Sequence, residues 1–189
     1  MFLKNAWYVA ELSADVSAPR AVRILGEPIV VYRKRDGAPV GLEDACAHRK
    51  VPLSKGKLRG DQLECAYHGM TYDCHGECTS VPGGQRIPPA ARVRSYPVAD
   101  RYGFLWIWMG EPEMADPARI FRVQNWDDPQ TGRSDPGSLT MACSYLYITD
   151  NLLDPSHVAW VHPSSFGEVK CRETPLLTTA LPDGMLVSR

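Results

Sequence analysis

Cys46-Ala47-His48-Arg49-Lys50 and Cys65-Ala66-Tyr67-His68-Gly69 decide the reading of this chain, with sixteen residues (49–64) between His48 and Cys65. Each segment offers one thiolate and one imidazole, with one intervening residue in the first pair and two in the second. Two thiolates and two imidazoles can hold a two-iron, two-sulfide cluster in which one iron takes both sulfurs and the other both nitrogens. Neutral imidazoles in place of thiolates remove negative charge and raise the potential above that of an all-cysteine cluster. Zinc also accepts two Cys and two His, but finger-type sites group Cys with Cys and His with His rather than in mixed pairs. A disulfide scaffold would suit a short secreted chain. The residues therefore favour Cys46, His48, Cys65 and His68 as cluster ligands, with zinc as the competing metal.

The chain of 189 residues is long enough for one large domain or two small ones. A net charge of −1 gives no overall attraction to nucleic acid or to an anionic membrane surface. The start, Met1-Phe2-Leu3-Lys4-Asn5, has no basic stretch leading into an apolar run, and no stretch approaches the ~20 apolar residues of a membrane span. Six cysteines, two of them assigned to a redox cluster, fit a reducing compartment. The expected location is the cytoplasm.

Working outward from the ligand segments, residues 28–43 read as a hairpin: Pro28-Ile29-Val30-Val31-Tyr32-Arg33, a turn at Asp36-Gly37, and a return through Val40 and Leu42. Gln62-Leu63-Glu64 is a short strand running into Cys65, and Gly76 marks a turn between Thr71-Tyr72 and Cys78-Thr79. Small strands with Gly and Pro punctuation point to an all-β unit whose loop tips carry the ligands. Gly69, directly after His68, meets a need for an unusual backbone angle or a close approach. Val81–Pro89 reads as a turn-rich connector or as a lid over the cluster. Tyr102–Met109 is apolar on both faces and is expected to be buried on both. Glu111–Pro117 is a polar, proline-rich boundary. Leu139–Ile148 has strand character, and Thr149–Val161 reads as a buried helix.

That helix carries Asn151, Asp154, His157 and His162, which fall within roughly 140° of one side. Two histidines and a carboxylate are ingredients of a mononuclear non-haem iron(II) site. Pro155 removes an N–H and kinks the helix, and Pro163 disfavours helical geometry at His162.

Cys46-x-His48-x16-Cys65-x2-His68 followed by Asn151-x2-Asp154-x2-His157-x4-His162 resembles the α subunit of the Rieske non-haem iron oxygenases. Asn5-Ala6-Trp7-Tyr8-Val9-Ala10 and Arg101–Trp108 look most like their vanillate O-demethylase and dicamba monooxygenase branch. The resemblance implies an all-β Rieske domain of small antiparallel sheets over residues 1–117. The start of an α+β catalytic domain would follow over 118–189. It further implies a [2Fe-2S] cluster on Cys46, His48, Cys65 and His68, and a mononuclear Fe(II) on His157 and His162. Asp154 would hydrogen-bond to ligand histidines across a subunit interface, with Asn151 beside the iron. The implied assembly is a head-to-tail homotrimer fed by NAD(P)H through a separate flavin and ferredoxin-type reductase. The implied chemistry uses O₂ to oxidise an aromatic substrate, as in O-demethylation of a methoxy-aromatic acid such as vanillate.

Ala47 and Met70 replace a proline and a tryptophan common in the family, changes of packing that leave ligation intact. The family's third iron ligand is an aspartate far downstream, and Glu168, Glu173 and Asp183, the carboxylates after His162, lack its context. A fragment, a second completing polypeptide, or a chain without catalytic iron all remain open. Other classes are a pure Rieske electron carrier, a ring-hydroxylating dioxygenase and a zinc-stabilised binding module. Cys74, Cys78, Cys143 and Cys171 read as ordinary thiols and His75 as an exposed residue. Arg49, Lys50, Lys55, Lys57 and Arg59 form either a solvated face or a docking patch for an acidic reductase.

Overall fold

The computed structural model describes residues 2–84, 86–135, 137–164, 167, 169–182 and 184–188. Its contacts divide the chain into two units, Met1–Pro136 and Gly137–Arg189.

The described residues of the first unit form eleven short strands. They are β1 (Ala6–Leu12), β2 (Arg20–Ile24), β3 (Glu27–Arg33), β4 (Pro39–Glu43), β5 (Lys57–Arg59), β6 (Gln62–Glu64), β7 (Thr71–Tyr72), β8 (Cys78–Ser80), β9 (Ser95–Tyr96), β10 (Val98–Arg101) and β11 (Phe104–Met109). Three antiparallel sheets result, in the orders β1-β11-β10, β2-β3-β4-β9 and β5-β6-β7-β8. The β3–β4 hairpin is present as expected, its turn closed at Gly37 with φ +86. So are the short strand into Cys65 and the turn at Gly76. At Gly76 a side chain is excluded twice over. Its φ is +81, and an added Cβ would stand 2.2 Å from the Val93 carbonyl oxygen.

β3 organises the packing because successive side chains of a strand face opposite ways. Val30 and Tyr32 enter one core with Leu42, Leu53, Leu63, Cys46, Cys65 and Tyr72. Ile29 and Val31 enter a second core with Leu105, Ile107, Met109 and Tyr96. All four β3 residues are fully buried, so the strand reads as a continuous apolar run. β11 departs from its expected burial on both faces. Leu105, Ile107, Trp108 and Met109 are buried, but Phe104 and Trp106 are only half-buried. On that face cover is supplied at Trp108, where Trp7 packs edge-on at 5.5 Å and Arg119 lies over the ring.

The second unit contains α1 (Tyr145–Leu153), α2 (Val158–Val161) and a hairpin of β12 (Leu177–Leu181) with β13 (Gly184–Ser188). It corrects three expectations. Leu139–Ile148 is not a strand: Ser144 accepts from the Leu146 N–H and caps a helix that starts at Tyr145. Thr149–Val161 is not one helix: the chain leaves helical geometry at Asp154 (φ −104, ψ 87), ahead of Pro155, and resumes through a 3-10 turn at Pro155–His157. Nor is this segment buried. Ala159 is, but Leu146, Tyr147, Leu152, Trp160 and Val161 are each more than half exposed. A segment apolar all round needs cover on every side, and the described residues supply it on one.

Candidate metal centre

The two ligand segments are loops, the first running from β4 of one sheet into β5 of another and the second at the tip of the β6–β7 hairpin. They close with the same pair of backbone hydrogen bonds. Cys46 N–H donates to Val51 O (2.9 Å) and Lys50 N–H to Cys46 O (2.8 Å). Likewise Cys65 N–H donates to Met70 O (2.8 Å) and Gly69 N–H to Cys65 O (3.0 Å). The fifth residue of each loop takes left-handed geometry, with φ +56 at Lys50 and +73 at Gly69. A Cβ on Gly69 would meet only an ordinary contact at 3.5 Å, so the angle, not crowding, requires glycine there. Lys50 adopts that angle with a side chain, its ammonium paired to Glu43 at 3.3 Å.

These loops bring the four expected residues together as a sulfur pair inside and a nitrogen pair outside. Cys46 and Cys65 are buried free thiols, whereas His48 and His68 are exposed. The two Nδ1 atoms face each other at 3.1 Å. Two nitrogens bound to one metal at ~2.1 Å and near-tetrahedral angle lie ~3.4 Å apart, so the imidazoles fit a shared ion. Burial pushes the Cys65 thiol up from its ordinary range. The Tyr67 and His68 amides aimed at its sulfur oppose that by favouring the thiolate, and the Cys46 thiol beside it adds to the rise. Among the described residues no three His, Cys, Asp or Glu side chains converge on a single ion position.

Tyr72, which the sequence reading did not assign, completes the inner side. Its hydroxyl accepts from the Ala47 N–H (3.1 Å) and lies 3.2 Å from Cys46 Sγ, so its own hydrogen is available to the sulfur. Burial, and then the Cys46 contact, push the Tyr72 hydroxyl above its ordinary range and keep it a donor. A buried tyrosine does need a partner, but nothing in the sequence says that the partner is a residue twenty-six positions earlier. Asp44, also buried, takes the Ser54 N–H and hydroxyl at 2.7 Å each and ties off the first loop. On the outer side a cleft of about 510 Å³ runs beside His48 and His68, with Met70, Val81, Pro82 and Arg86 among its walls. Val81, Pro82, Arg86 and Pro88 thus line a cleft with both imidazoles. Cys78 is buried and His75 exposed, as expected of residues outside the site. Of the basic cluster, Lys57 and Arg59 are both paired to Glu64.

In the second unit the ring centroids of His157 and His162 stand 5.7 Å apart at 68°. Rings bound to one metal at ~2.1 Å have centroids ~3.2 Å from it, so separations up to about 6 Å are compatible with a shared ion. His157 Nδ1 contacts the Asp154 carbonyl oxygen, which orients the ring and leaves Nε2 for a metal. Asn151 Nδ2 lies 3.5 Å from that Nε2. The Asp154 carboxylate caps the turn by accepting from the Ser156 N–H at 2.8 Å. Gly167, unremarked in the sequence, donates its N–H to His162 O, and an added Cβ would lie 2.3 Å from the Val158 carbonyl oxygen. Glu168 and Asp183 lie outside the described residues.

Residues 6–97 match the Rieske [2Fe-2S] domain, and residues 141–184 match the vanillate O-demethylase oxygenase C-terminal domain. The chain belongs to the Rieske oxygenase family, as a Rieske [2Fe-2S] domain joined to part of a vanillate O-demethylase-type C-terminal domain. It is 40% identical to the vanillate O-demethylase oxygenase subunit of Pseudomonas sp. (strain HR199 / DSM 7063), over all of this chain and 53% of that one. It is 41% identical to the dicamba O-demethylase oxygenase component of Stenotrophomonas maltophilia, over 85% of this chain and 48% of that one. Among solved structures, dicamba monooxygenase bound to 3,6-dichlorosalicylic acid superposes with a TM-score of 0.85 at 33% identity, covering 98% of this chain and 55% of that one. The chain spans about half the length of the curated relatives it matches. Among the described residues no helix is long and apolar enough to cross a membrane.

Proposed function

We propose that this chain is the electron-receiving part of a Rieske monooxygenase's oxygenase component. Cys46 and Cys65 hold one iron of the [2Fe-2S] cluster and His48 and His68 the other. The observation that carries this reading is the pairing itself: two buried thiols beneath two exposed imidazoles whose Nδ1 atoms face each other at 3.1 Å. Buried sulfurs shield the cluster from water, while imidazole edges at the surface give a short route for electrons. The cluster supplies one-electron transfer. This chain's own residues hold it, donate hydrogen bonds to its sulfurs, and present the histidine edge to partners.

His157 and His162 begin the mononuclear Fe(II) site, with Asn151 beside it and Asp154 as the carboxylate that couples it to a neighbour's cluster. In the complete protein the reaction is oxidation of an aromatic substrate with O₂, and the 40% and 41% identities to two O-demethylase oxygenase subunits support O-demethylation of a methoxy-aromatic acid such as vanillate. The partners are a flavin and ferredoxin-type reductase drawing on NAD(P)H, in a cytoplasmic homotrimer engaged in aromatic catabolism. Iron and acid-labile sulfide analysis, with a low-temperature spin-resonance spectrum of the dithionite-reduced chain, tests the assignment. Two irons and two sulfides with a reduced-cluster signal are expected. A colourless protein holding one zinc would overturn it.

A further inference from the structure

The cleft beside the imidazoles has one feature that ligation does not use. Its walls are largely apolar, among them Met70, Val81, Pro88 and Ala91, yet Arg86 stands among them with His48 and His68. Of the neighbouring cations, Lys50 pairs with Glu43 and Arg92 with Glu77, while Lys57 and Arg59 share the single carboxylate of Glu64. Among the described residues no carboxylate lies within ion-pair distance of Arg86. The segment that carries it borders the cleft. Gly83 and Gly84 turn the chain with φ of +75 and +63, and the Ala91 N–H closes on Pro88 O at 2.9 Å. A round cleft of this volume is on the order of 10 Å across, within the ~8–10 Å over which salt water leaves a charge effective. Its apolar walls focus the field further.

We propose that Arg86 is a potential-setting residue: its guanidinium, on a cleft that His48 and His68 also line, stabilises the reduced form of the cluster and raises its reduction potential. The inference rests on the cluster assignment above. One electron enters the cluster on reduction and no proton need accompany it, so a fixed positive charge nearby favours the reduced state by Coulomb attraction alone. Arg86 acts through space, by its charge alone.

Potentiometric titration of the cluster-loaded full chain, followed by visible absorbance, tests this on wild type, Arg86→Gln and Arg86→Lys at low and high salt. Arg86 is exposed, so neither substitution disturbs a core. Arg86→Gln is expected to shift the reduction equilibrium three- to tenfold toward the oxidised form, about 30–60 mV for a one-electron couple. Arg86→Lys is expected to retain most of the wild-type potential, and the Gln difference is expected to shrink as salt rises. An unchanged potential in Arg86→Gln with iron and sulfide intact overturns the role of Arg86 and leaves the cluster assignment standing. An equal loss in Arg86→Lys also overturns it, because a charge is then not what matters. Absence of iron and sulfide from the wild type removes the cluster assignment itself and this inference with it.

Discussion

Replacing Tyr72 with phenylalanine isolates one hydrogen bond at the centre. The residue is fully buried and its hydroxyl lies 3.2 Å from Cys46 Sγ, so the substitution deletes one oxygen and keeps the ring. A hydrogen bond to a charged acceptor contributes ~1.5–3 kcal/mol. Reduction adds a full negative charge to the cluster, and part of it falls on Cys46, so the bond strengthens on reduction. If that gain is about 1 kcal/mol, its loss lowers the potential by roughly 40 mV, since a tenfold change in a one-electron equilibrium is about 59 mV. The same deletion strands the Ala47 N–H, which donates to that oxygen at 3.1 Å, at a stability cost of ~1–3 kcal/mol. Tyr72→Phe is therefore expected to show a lower potential by redox titration and a lower thermal midpoint, with two irons retained. A full cluster at the wild-type potential would refute the claim that the hydroxyl donates to the sulfur.

Other expectations follow from single residues. His68→Cys replaces a neutral ligand by a thiolate and should lower the potential of any cluster that assembles; an unmoved potential would show that His68 is not a ligand. Gly76→Ala combines φ +81 with a Cβ placed 2.2 Å from Val93 O. It should cost ~2 kcal/mol or more, roughly 4–8 °C in thermal midpoint for a chain of this size. Lys50→Gly should retain both fold and cluster, because glycine suits φ +56 and an exposed ion pair contributes ~0–1 kcal/mol. Lys50→Val puts a β-branched residue at the same angle and should lose iron on dialysis, a contrast that equal iron contents would erase.

The four candidate ligands are legible in the sequence because they sit on short local motifs, and Cys46-x-His48 and Cys65-x2-His68 keep their spacing whatever the fold does. The strands nearest them were legible too, since Asp36-Gly37 and Gly76 mark their turns. What surrounds the ligands was not. Tyr72 reaches Cys46 and Asp44 reaches Ser54 only after the chain has folded back, and no period in the sequence records such a meeting. The second unit was misread for a local reason. The apolar content of Leu139–Ile148 masks the Ser144 cap, and Pro155 in the sequence does not tell a kink within one helix from a break ahead of it. Asn151, Asp154, His157 and His162 consequently lie on a helix, a break, a 3-10 turn and a helix end, not on one face.

The double burial of β3 has a bearing on how the molecule comes apart. Its even-numbered side chains line the compartment that receives both cysteines, and its odd-numbered ones knit the sheet containing the N-terminal strand. Neither half can melt while the other persists, because both lean on one ribbon of backbone. Bleaching of the chromophore and collapse of the whole β unit then become one event, and the colour of the solution reports the state of residues far from any metal.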